Sequence, residues 1–521
     1  MDRRQFIKAG ATGIGAVGLG GLTTSACAPA AGPSESAGAF HLGVVSGLHS
    51  PTEVVLWTRI NPVDAPGVNS VTCTVATDPA ITDVVATATA PVSALADNCV
   101  KVLVGGLVAD TSYWYRFDTG AQLSPVGRAR TLPAPWSSPP SLKLAFASCQ
   151  AYSNGYYGAW RDIATRDLDA VLFLGDYIYE APDIQLLGNV RPDYADEALT
   201  LDQYRAKYRL YRSDVDIRAA HAAHPLVPVW DDHEVFNDHD AGQLAQQPAR
   251  QAAAYQAWFE YMPVMPISGS RIYRSLQWGD LGEVFMLDTR QYRGPHLPVG
   301  PLGATLLAAS YAAPDRTILG PEQKAWLLGG LDAAQIEGRT WKIIGNQVMI
   351  APIRVTDLDT PQNRAVDPTL PRHAGLYTNM DSWDGFSHER DEVLAHLGGN
   401  GIDNTLFVTG DYHAFFAGPL RQDFDDPASP VVAHDFCAAG ISSKPFNPFE
   451  FLVGGGGPPA TEPPFDHISY TENGYGLVEA TPSSLEVTFV GGNATYRGAA
   501  FRPRIRWTLT PGDPNATITH L

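Results

Sequence analysis

The chain has 521 residues, of which 45% are hydrophobic and 17% are charged, and its formal net charge is −19. This length supports more than one buried core, and no segment is both long and polar enough to predict disorder. The negative charge argues against nucleic acid as the main partner, because phosphate backbones bind basic surfaces. Five cysteines in this length exclude a disulfide scaffold.

The chain begins with a predicted targeting segment. Arg3 and Arg4 precede a Gly- and Ala-rich apolar stretch from about Ala9 to Leu22. That stretch is too short and too rich in glycine to span a bilayer as a stable helix, and the whole arrangement is similar to a Tat export signal. We predict that residues 1–32 are a Tat signal peptide. The Tat export machinery is then a partner, and the protein is periplasmic, on the cell surface or secreted.

Two processing routes are compatible with the end of this segment. The tripeptide TSA before Cys27 loosely resembles a lipobox, which would leave a lipid anchor on Cys27. The tripeptide APA that follows suits an ordinary signal peptidase instead. Simple cleavage is favoured, because Thr24 stands where a lipobox has a larger aliphatic residue.

Residues 38–133 have the pattern of a small all-β sandwich. The short runs VVLWTRI, VTCTVAT and TSYWYRFDT are rich in β-branched and aromatic residues and are separated by turn signals. Cys73 and Cys99 both lie in this region. After export they would either form a disulfide or remain two buried thiols.

A proline- and serine-rich linker, residues 134–141, precedes a second domain that covers residues 142–521. In this domain apolar strands alternate with helical stretches such as PEQKAWLLGGLD, which is typical of an α/β fold.

Ligand-type side chains directly follow five apolar strands of the second domain. They are Cys149 after LAFAS, Asp176 and Tyr179 after LFLG, Asp231, Asp232, His233 and Glu234 after LVPVW, Asn346 after WKIIG, and Asp411 and His413 after TLFVTG. Taken singly, Asp176 would be a capping residue and Cys149 a buried core residue. Ligands of open α/β sheets, however, bind just beyond the carboxyl ends of strands. We therefore expect these residues to form one site on one rim of one sheet.

The order of these residues resembles the metallophosphoesterase pattern. In that pattern the carboxylate after the glycine of a GD pair bridges two metals, and here that residue is Asp176. The physical need is that two neighbouring cations repel each other, so that an anion must lie between them. The same pair of cations can then bind both the attacking and the leaving oxygen.

Longer sequence words are similar to those of PhoD-type alkaline phosphatases over nearly the whole mature chain. They are FHLGVVSG, VVLWTR, FASCQ, LGDYIYE, WDDHE, YRSLQWGDLGEVFMLDTRQYR, GPEQKAWL and FVTGDYH. The resemblance implies a four-layer α/β/β/α metallophosphoesterase domain preceded by a small fibronectin-like or Ig-like β-sandwich. It also implies an exported, metal-dependent phosphatase with an Fe3+ and Ca2+ site.

The same resemblance implies which residues bind the metals. The ligands implied for the first metal are Cys149, Tyr179 and His413, and those for the second are Asp232, Asp411 and Asn346, with Asp176 bridging the two. A thiolate and a phenolate stabilise Fe3+, whereas an all-oxygen ligand set suits Ca2+.

The implied reaction is in-line attack of a metal-bound hydroxide on a phosphate monoester, and a diester is a further candidate substrate. Asp176 and His233 are the predicted catalytic residues. His233 would either protonate the leaving alkoxide as a general acid or orient Asp232. A phosphodiesterase or phospholipase D-like enzyme on the same site is one alternative. A non-catalytic surface module is another, which the intact ligand set disfavours.

Several nearby residues are expected to support the site rather than to form it. Asp231 is interpreted as structural, and Asn237 and Arg290 as supporting residues, with contact to phosphate as a second option for Arg290. His239 and the segments HAFFAG and HDFCAAGISS depart from the common family words. We expect them to shape the pocket, and, apart from His413, not to contact the ligands.

Overall fold

The structure is a computed structural model, and it describes residues 38–181, 189–295, 305–306, 313–370, 372–377, 379–426, 428–446 and 465–521. The predicted signal peptide and Cys27 lie outside the described residues. Within the described part of the chain, no helix is long and apolar enough to cross a membrane.

The N-terminal module is a sandwich of two antiparallel sheets. Its strands are β1 (Val44–Ser50), β2 (Glu53–Arg59), β3 (Ser70–Ala76), β4 (Val84–Pro91), β5 (Cys99–Val104), β6 (Ser112–Asp118) and β7 (Gly127–Arg130). One sheet has the order β1-β2-β5 and the other has the order β4-β3-β6-β7. Alternate residues of both sheets, among them Leu56, Val102, Val75 and Tyr115, share one buried core. This confirms the all-β N-terminal domain.

Cys73 and Cys99 are free thiols that lie in different sheets of the sandwich. Burial raises the pKa of each thiol to about 12, which keeps both protonated and unreactive at neutral pH. Of the two alternatives left open by the sequence, the structure supports the two free thiols.

Two seven-stranded sheets form the centre of the second domain. Its strands are β8 (Leu142–Ala147), β9 (Ala170–Phe173), β10 (Leu226–Pro228), β11 (Arg274–Trp278), β12 (Gly282–Met286), β13 (Thr305–Leu306), β14 (Trp341–Asn346), β15 (Arg354–Asp357), β16 (Gly375–Tyr377), β17 (Thr405–Thr409), β18 (Phe415–Arg421), β19 (Val431–Cys437), β20 (His467–Ser469), β21 (Asn473–Ala480), β22 (Leu485–Gly492), β23 (Arg502–Leu509) and β24 (Thr517–His520). Sheet I has the order β10-β9-β8-β21-β22-β23-β24, and sheet II has the order β11-β12-β14-β17-β19-β18-β20. The strands β13, β16 and β15 pair with one another in a small third sheet of the order β13-β16-β15.

Helices cover the outer faces of the two large sheets. The α-helices are α1 (Gly158–Ala164), α2 (Leu201–Arg212), α3 (Val215–Ala223), α4 (Ala241–Gln246), α5 (Pro248–Tyr261), α6 (Gly320–Ile336), α7 (Pro361–Val366) and α8 (Ser387–Gly399). Trp160 of α1 and Trp258 of α5 belong to the same core as sheet I, whereas Leu327 of α6 and Leu394 of α8 pack with sheet II. The two sheets share their inner core, so the layers are α/β/β/α, as predicted.

The five strands that precede the candidate site, β8, β9, β10, β14 and β17, belong to two sheets. In sheet I, β8, β9 and β10 run parallel, and in sheet II, β12, β14 and β17 run parallel. The expectation of one rim of one sheet is therefore wrong. Hydrophobic runs identify strands that are buried on both faces, but they do not show which sheet a strand joins. The carboxyl ends of the two parallel sets meet along one line, which we call the inter-sheet seam.

Candidate metal centre

The side chains predicted from the strand ends gather at the inter-sheet seam. Sheet I supplies Cys149, Asp176 and Asp232, and sheet II supplies Asp411 and His413. The two sheets approach closely here, because a Cβ added at Gly410 would lie 2.3 Å from the Ser148 hydroxyl oxygen. Only a residue without a side chain fits at that point of the seam.

Asp176 is common to three groups of potential metal ligands, one of which joins it to Asp232 and His233. In the first group, the ligand atoms lie within 4.8 Å of one another and come from Cys149, Asp176 and His413. In another, carboxylate oxygens lie within the same distance and come from Asp176, Asp231, Asp232 and Asp411. Asp176 is fully buried. Burial and the nearby carboxylates raise its pKa well above the usual range, although His233 acts in the opposite direction. Such a carboxyl either takes up a proton or has its charge balanced by a bound cation, so this group of side chains is suited to hold cations.

Tyr179 lies beside the first group of potential ligands, and His413, a member of that group, has a ring nitrogen that can bind a metal. The Tyr179 hydroxyl lies 2.8 Å from Asp176 Oδ2 and 3.0 Å from His413 Nε2. His413 Nδ1 lies 3.1 Å from the carbonyl oxygen of Lys444, which can only accept a hydrogen bond. In a neutral imidazole the proton is then on Nδ1, so that Nε2 is left with a lone pair that can bind a metal.

Four of these residues have a left-handed backbone. The φ angles are 59° for Cys149, 58° for Asp176, 65° for Asp411 and 55° for His413. A residue other than glycine in this region costs on the order of 1–3 kcal/mol, and such conformations cluster at functional sites. The sharp turns that they produce direct successive side chains of each loop into the same small volume.

Gly175 and Glu234 join the loops that follow β9 and β10. Gly175 has φ 114°, and an added Cβ would lie 2.3 Å from the Asp231 Cβ. The Glu234 carboxylate accepts hydrogen bonds from the backbone N–H groups of Asp176, Tyr177 and Asp231 at 3.0, 2.7 and 2.9 Å. Glu234 therefore fixes the spacing between two of the loops, a role that the sequence pattern did not reveal.

Arg290 is a fully buried cation at the centre of the carboxylates. It forms a bidentate ion pair with Asp231, and its Nη1 donates to Asp381 Oδ2 at 2.6 Å. Its Nη2 also lies 3.8 Å from Asp232 Oδ1 and 4.0 Å from Asp411 Oδ1. Asp231 thus has its charge balanced by Arg290, which agrees with the structural role expected for it.

His233 and Glu180 form a hydrogen-bonded pair beside the proposed ligands. His233 Nδ1 lies 2.7 Å from Glu180 Oε2, and the Tyr179 ring packs on the imidazole at a centroid distance of 4.2 Å. Burial lowers the pKa of His233, but Asp232, Glu180 and Asp176 together outweigh it and raise that pKa to about 10. Glu180 is not among the site residues that the sequence pattern predicts. Its place four residues after Asp176 in LGDYIYE was the available signal.

The remaining predicted residues have varied surroundings. Asn346 donates through Nδ2 to the Val348 carbonyl oxygen at 2.6 Å, and the Trp383 indole N–H lies 3.4 Å from its Oδ1. Its backbone places it at the end of β14 on the same seam. The Asn237 N–H donates to Glu180 Oε1 at 3.2 Å, so this residue supports the Glu180–His233 pair. Burial lowers the pKa of His239 to about 3, and we interpret it as a packing residue.

One expectation about the segments that differ from the common family words is wrong. The segment HDFCAAGISS does contact a proposed ligand, because the Ser443 hydroxyl donates a hydrogen bond to the Tyr179 oxygen at 2.8 Å. Ser443 is 264 residues from Tyr179 in the sequence and follows the end of β19. Only the course of the chain after that strand brings it to the seam.

Comparison with known proteins identifies the family. The family model for the PhoD-like phosphatase matches residues 144–489, and that for its N-terminal domain matches residues 26–133. The alkaline phosphatase D of Bacillus subtilis (strain 168) is 36% identical over 467 residues, which cover 85% of this chain and 76% of the relative. A solved structure described as the structure of PhoD superposes with a TM-score of 0.82 at 32% identity, covering 94% of this chain and 93% of the other. The predicted class of enzyme, an alkaline phosphatase, is confirmed. The chain belongs to the PhoD-like phosphatase family.

Proposed function

We propose that this phosphatase hydrolyses small phosphate monoesters at a binuclear centre that contains Fe3+ and Ca2+ and that shares Asp176 between the two metals. The observation that carries the proposal is the membership of Asp176 both in a group with Cys149 and His413 and in a group with Asp231, Asp232 and Asp411. Each group adds donors of its own to Asp176: a thiol and an imidazole in the one, and further carboxylates in the other.

The chemistry of the two ligand groups differs. The first combines a thiol, a phenol and the lone pair of an imidazole, from Cys149, Tyr179 and His413. Two donors that are anionic when bound favour a trivalent iron ion over a divalent one. Burial and the nearby Asp176 and Asp411 raise the pKa of Cys149 well above its usual range. A cation at this position would therefore have to stabilise the thiolate that binds it.

The second group contains only oxygen donors. Asp232 and Asp411 contribute carboxylates, and Asp176 lies beside them. We assign Asn346 to the same metal, because its amide oxygen keeps a second lone pair after it accepts a hydrogen bond from Trp383. Hard oxygen donors of this kind suit Ca2+ better than a soft metal. Asp231 lies within the same group, but its ion pair with Arg290 favours a structural role.

When bound, the two cations would neutralise the phosphate oxygens and make a water molecule nucleophilic near neutral pH. The chain itself supplies the other half of the reaction, which is a proton for the leaving alkoxide. The Glu180 carboxylate binds Nδ1 of His233 and leaves Nε2 as the atom that can donate. A carboxylate in this position holds the imidazolium and orients it, as general acid catalysis requires.

Arg290 limits how strongly the carboxylates repel each other. Its Nη2 is about 4 Å from Asp232 and Asp411, the two proposed ligands of the second metal. Because the guanidinium is fully buried and held by two other carboxylates, we assign it to positioning the ligands and not to binding phosphate.

We further propose that the enzyme is exported through the Tat pathway, with residues 1–32 removed as a signal peptide. The support is the Arg3–Arg4 pair and the apolar stretch that follows it. Replacing both arginines by lysine should retain the enzyme in the cytoplasm of its host, and fractionation measures this. Mass spectrometry of the exported form would decide between simple cleavage and a lipid on Cys27. The domain boundaries given from the sequence, 38–133, 134–141 and 142–521, stay predictions.

Metal content and a visible spectrum test the proposed centre. Protein produced with ample iron and calcium should contain both metals and should show a charge-transfer band from a phenolate or thiolate to Fe3+. A colourless and fully active zinc protein would contradict the iron assignment. Retention of iron by Cys149→Ala would exclude the thiol as a ligand.

Substrate preference is tested on the same preparation. We expect faster hydrolysis of p-nitrophenyl phosphate than of bis-p-nitrophenyl phosphate. The opposite ranking would show that a phosphodiesterase, including a phospholipase D-like enzyme, is the better description. Absence of hydrolysis of either compound by metal-loaded protein would indicate a non-catalytic module.

A further inference from the structure

The segment 440–444, with the sequence GISSK, contacts all three proposed ligands of the first metal. The Ser443 N–H donates to the Cys149 carbonyl oxygen at 3.0 Å. The Ser443 hydroxyl donates to the Tyr179 oxygen at 2.8 Å, and the Lys444 carbonyl oxygen lies 3.1 Å from His413 Nδ1. One short stretch after β19 thus fixes the backbone of one ligand and the side chains of two others.

The direction of the Ser443 hydroxyl is determined by its neighbours. The Ala151 N–H donates to Ser443 Oγ at 3.0 Å and so occupies one of the lone pairs of this oxygen. The side chain is fully buried, and the Asn473 amide donates to the Ser443 carbonyl oxygen at 2.6 Å. With the backbone held and one lone pair in use, the hydroxyl hydrogen is free to point at Tyr179.

The Tyr179 oxygen has two further neighbours at the site, and it donates its own hydrogen to one of them, Asp176 Oδ2. Asp176 Oδ2 is a carboxylate oxygen, and His413 Nε2 carries a lone pair when its Nδ1 is protonated. A donor stabilises negative charge on an oxygen, and it does so more strongly in a buried site. A Tyr179 oxygen bound to a metal would therefore keep the Ser443 hydroxyl as its hydrogen-bond donor.

We infer that Ser443 is a positioning residue for the first metal, one that sets the orientation and donor strength of the Tyr179 oxygen through its hydroxyl. The inference rests on the proposed function, because it assumes that Tyr179 binds a metal. The segment HDFCAAGISS, which differs from the common family words, would then be part of the support of the metal centre.

Ser442 provides a matched control. It is adjacent in sequence and also buried, but its hydroxyl donates to the Ala151 carbonyl oxygen at 3.1 Å. Replacement of either serine by alanine removes one buried hydroxyl from the same segment. Only the replacement of Ser443 removes a donor to the phenol.

The experiment compares wild type, Ser443→Ala and Ser442→Ala, each isolated with its metals. Two quantities are measured: the position of the visible charge-transfer band, and the rate at which the first metal is lost to EDTA, followed by metal analysis. For Ser443→Ala we expect the band at longer wavelength, because a phenolate without a donor gives up its electrons more easily. We expect metal loss to be about tenfold faster, as for other residues that support a ligand. Ser442→Ala should match wild type in both quantities.

Ser443→Cys serves if the alanine variant does not fold, because a thiol is similar in size and a weaker donor. It should shift the band in the same direction by a smaller amount. A Ser443 variant that matches Ser442→Ala in both quantities overturns the inference. A colourless wild type would refute the iron assignment, and the rate of metal loss would still decide the role of Ser443. A wild type without any metal would refute the proposed function and, with it, this inference.

Discussion

Replacement of Glu180 by glutamine should move the alkaline limit of activity toward neutral pH. His233 can act as a general acid only while it is protonated, and its pKa is raised to about 10 by Asp232, Glu180 and Asp176. Asp232 and Asp176 are proposed metal ligands, so bound cations would cancel most of their effect. Glu180 is not a proposed ligand, and it would remain the main anion that holds the proton on His233.

The size of the effect follows from the contact distance. With 2.7 Å between His233 Nδ1 and Glu180 Oε2, the two charges are centred about 4 Å apart. Such a pair interacts by about 4 kcal/mol at an effective dielectric constant of about 20, which corresponds to about three pKa units. A glutamine oxygen can still accept a hydrogen bond from Nδ1. We therefore expect the pKa of His233 to fall by about two units.

The assay is the pH dependence of kcat for two substrates. Because protonated His233 is lost as pH rises through its pKa, the variant should lose activity about two pH units earlier than wild type. The loss should be larger for an alkyl phosphate than for p-nitrophenyl phosphate, whose leaving group needs less protonation. Glu180→Asp keeps the charge and should retain most of the alkaline activity. An unchanged pH profile for Glu180→Gln with both substrates would refute the proton-donor role of His233.

Three further results are expected. Asp176→Asn should fold, because asparagine tolerates φ 58°, but should lose both metals and at least about a thousandfold in activity; bound metals in the purified variant would contradict the bridging role. Arg290→Met should lower the free energy of unfolding by about 3–5 kcal/mol in a denaturant titration, because two buried carboxylates lose their partner. Gly175→Ala should destabilise far more than Gly67→Ala, since an added Cβ meets Asp231 in the first case and nothing within 4 Å in the second; equal melting temperatures would show that the loops can separate.

The sequence was sufficient to predict the strand ends and most side chains that meet there. Each buried strand is a short apolar run, and each run is followed by residues that bind metals, such as Asp176 after LFLG and Asp411 after TLFVTG. That pattern involves only residues that are neighbours in the sequence, so it can be recognised without knowledge of the fold. The two layers of sheet were correctly implied by the family resemblance and not by periodicity.

The hydrogen bonds and ion pairs between loops could not be predicted in the same way. Glu234 binds three backbone N–H groups from two loops, and nothing in its own surroundings in the sequence shows this. Ser443 reaches Tyr179 across 264 residues of chain. Arg290 follows β12, a strand that carries no proposed ligand, and yet it lies among the carboxylates. These contacts depend on how sheets I and II dock, which is a property of tertiary packing.

The inter-sheet seam also dictates when the centre can form. Tyr179 and His413 approach to 3.0 Å although 234 residues separate them, and they belong to loops of different sheets. A chain in which only sheet I has folded lacks His413 of the first proposed ligand group and both Asp411 and Asn346 of the second. Uptake of metal should therefore be a late event, and a coloured centre would report the final docking of the sheets during refolding.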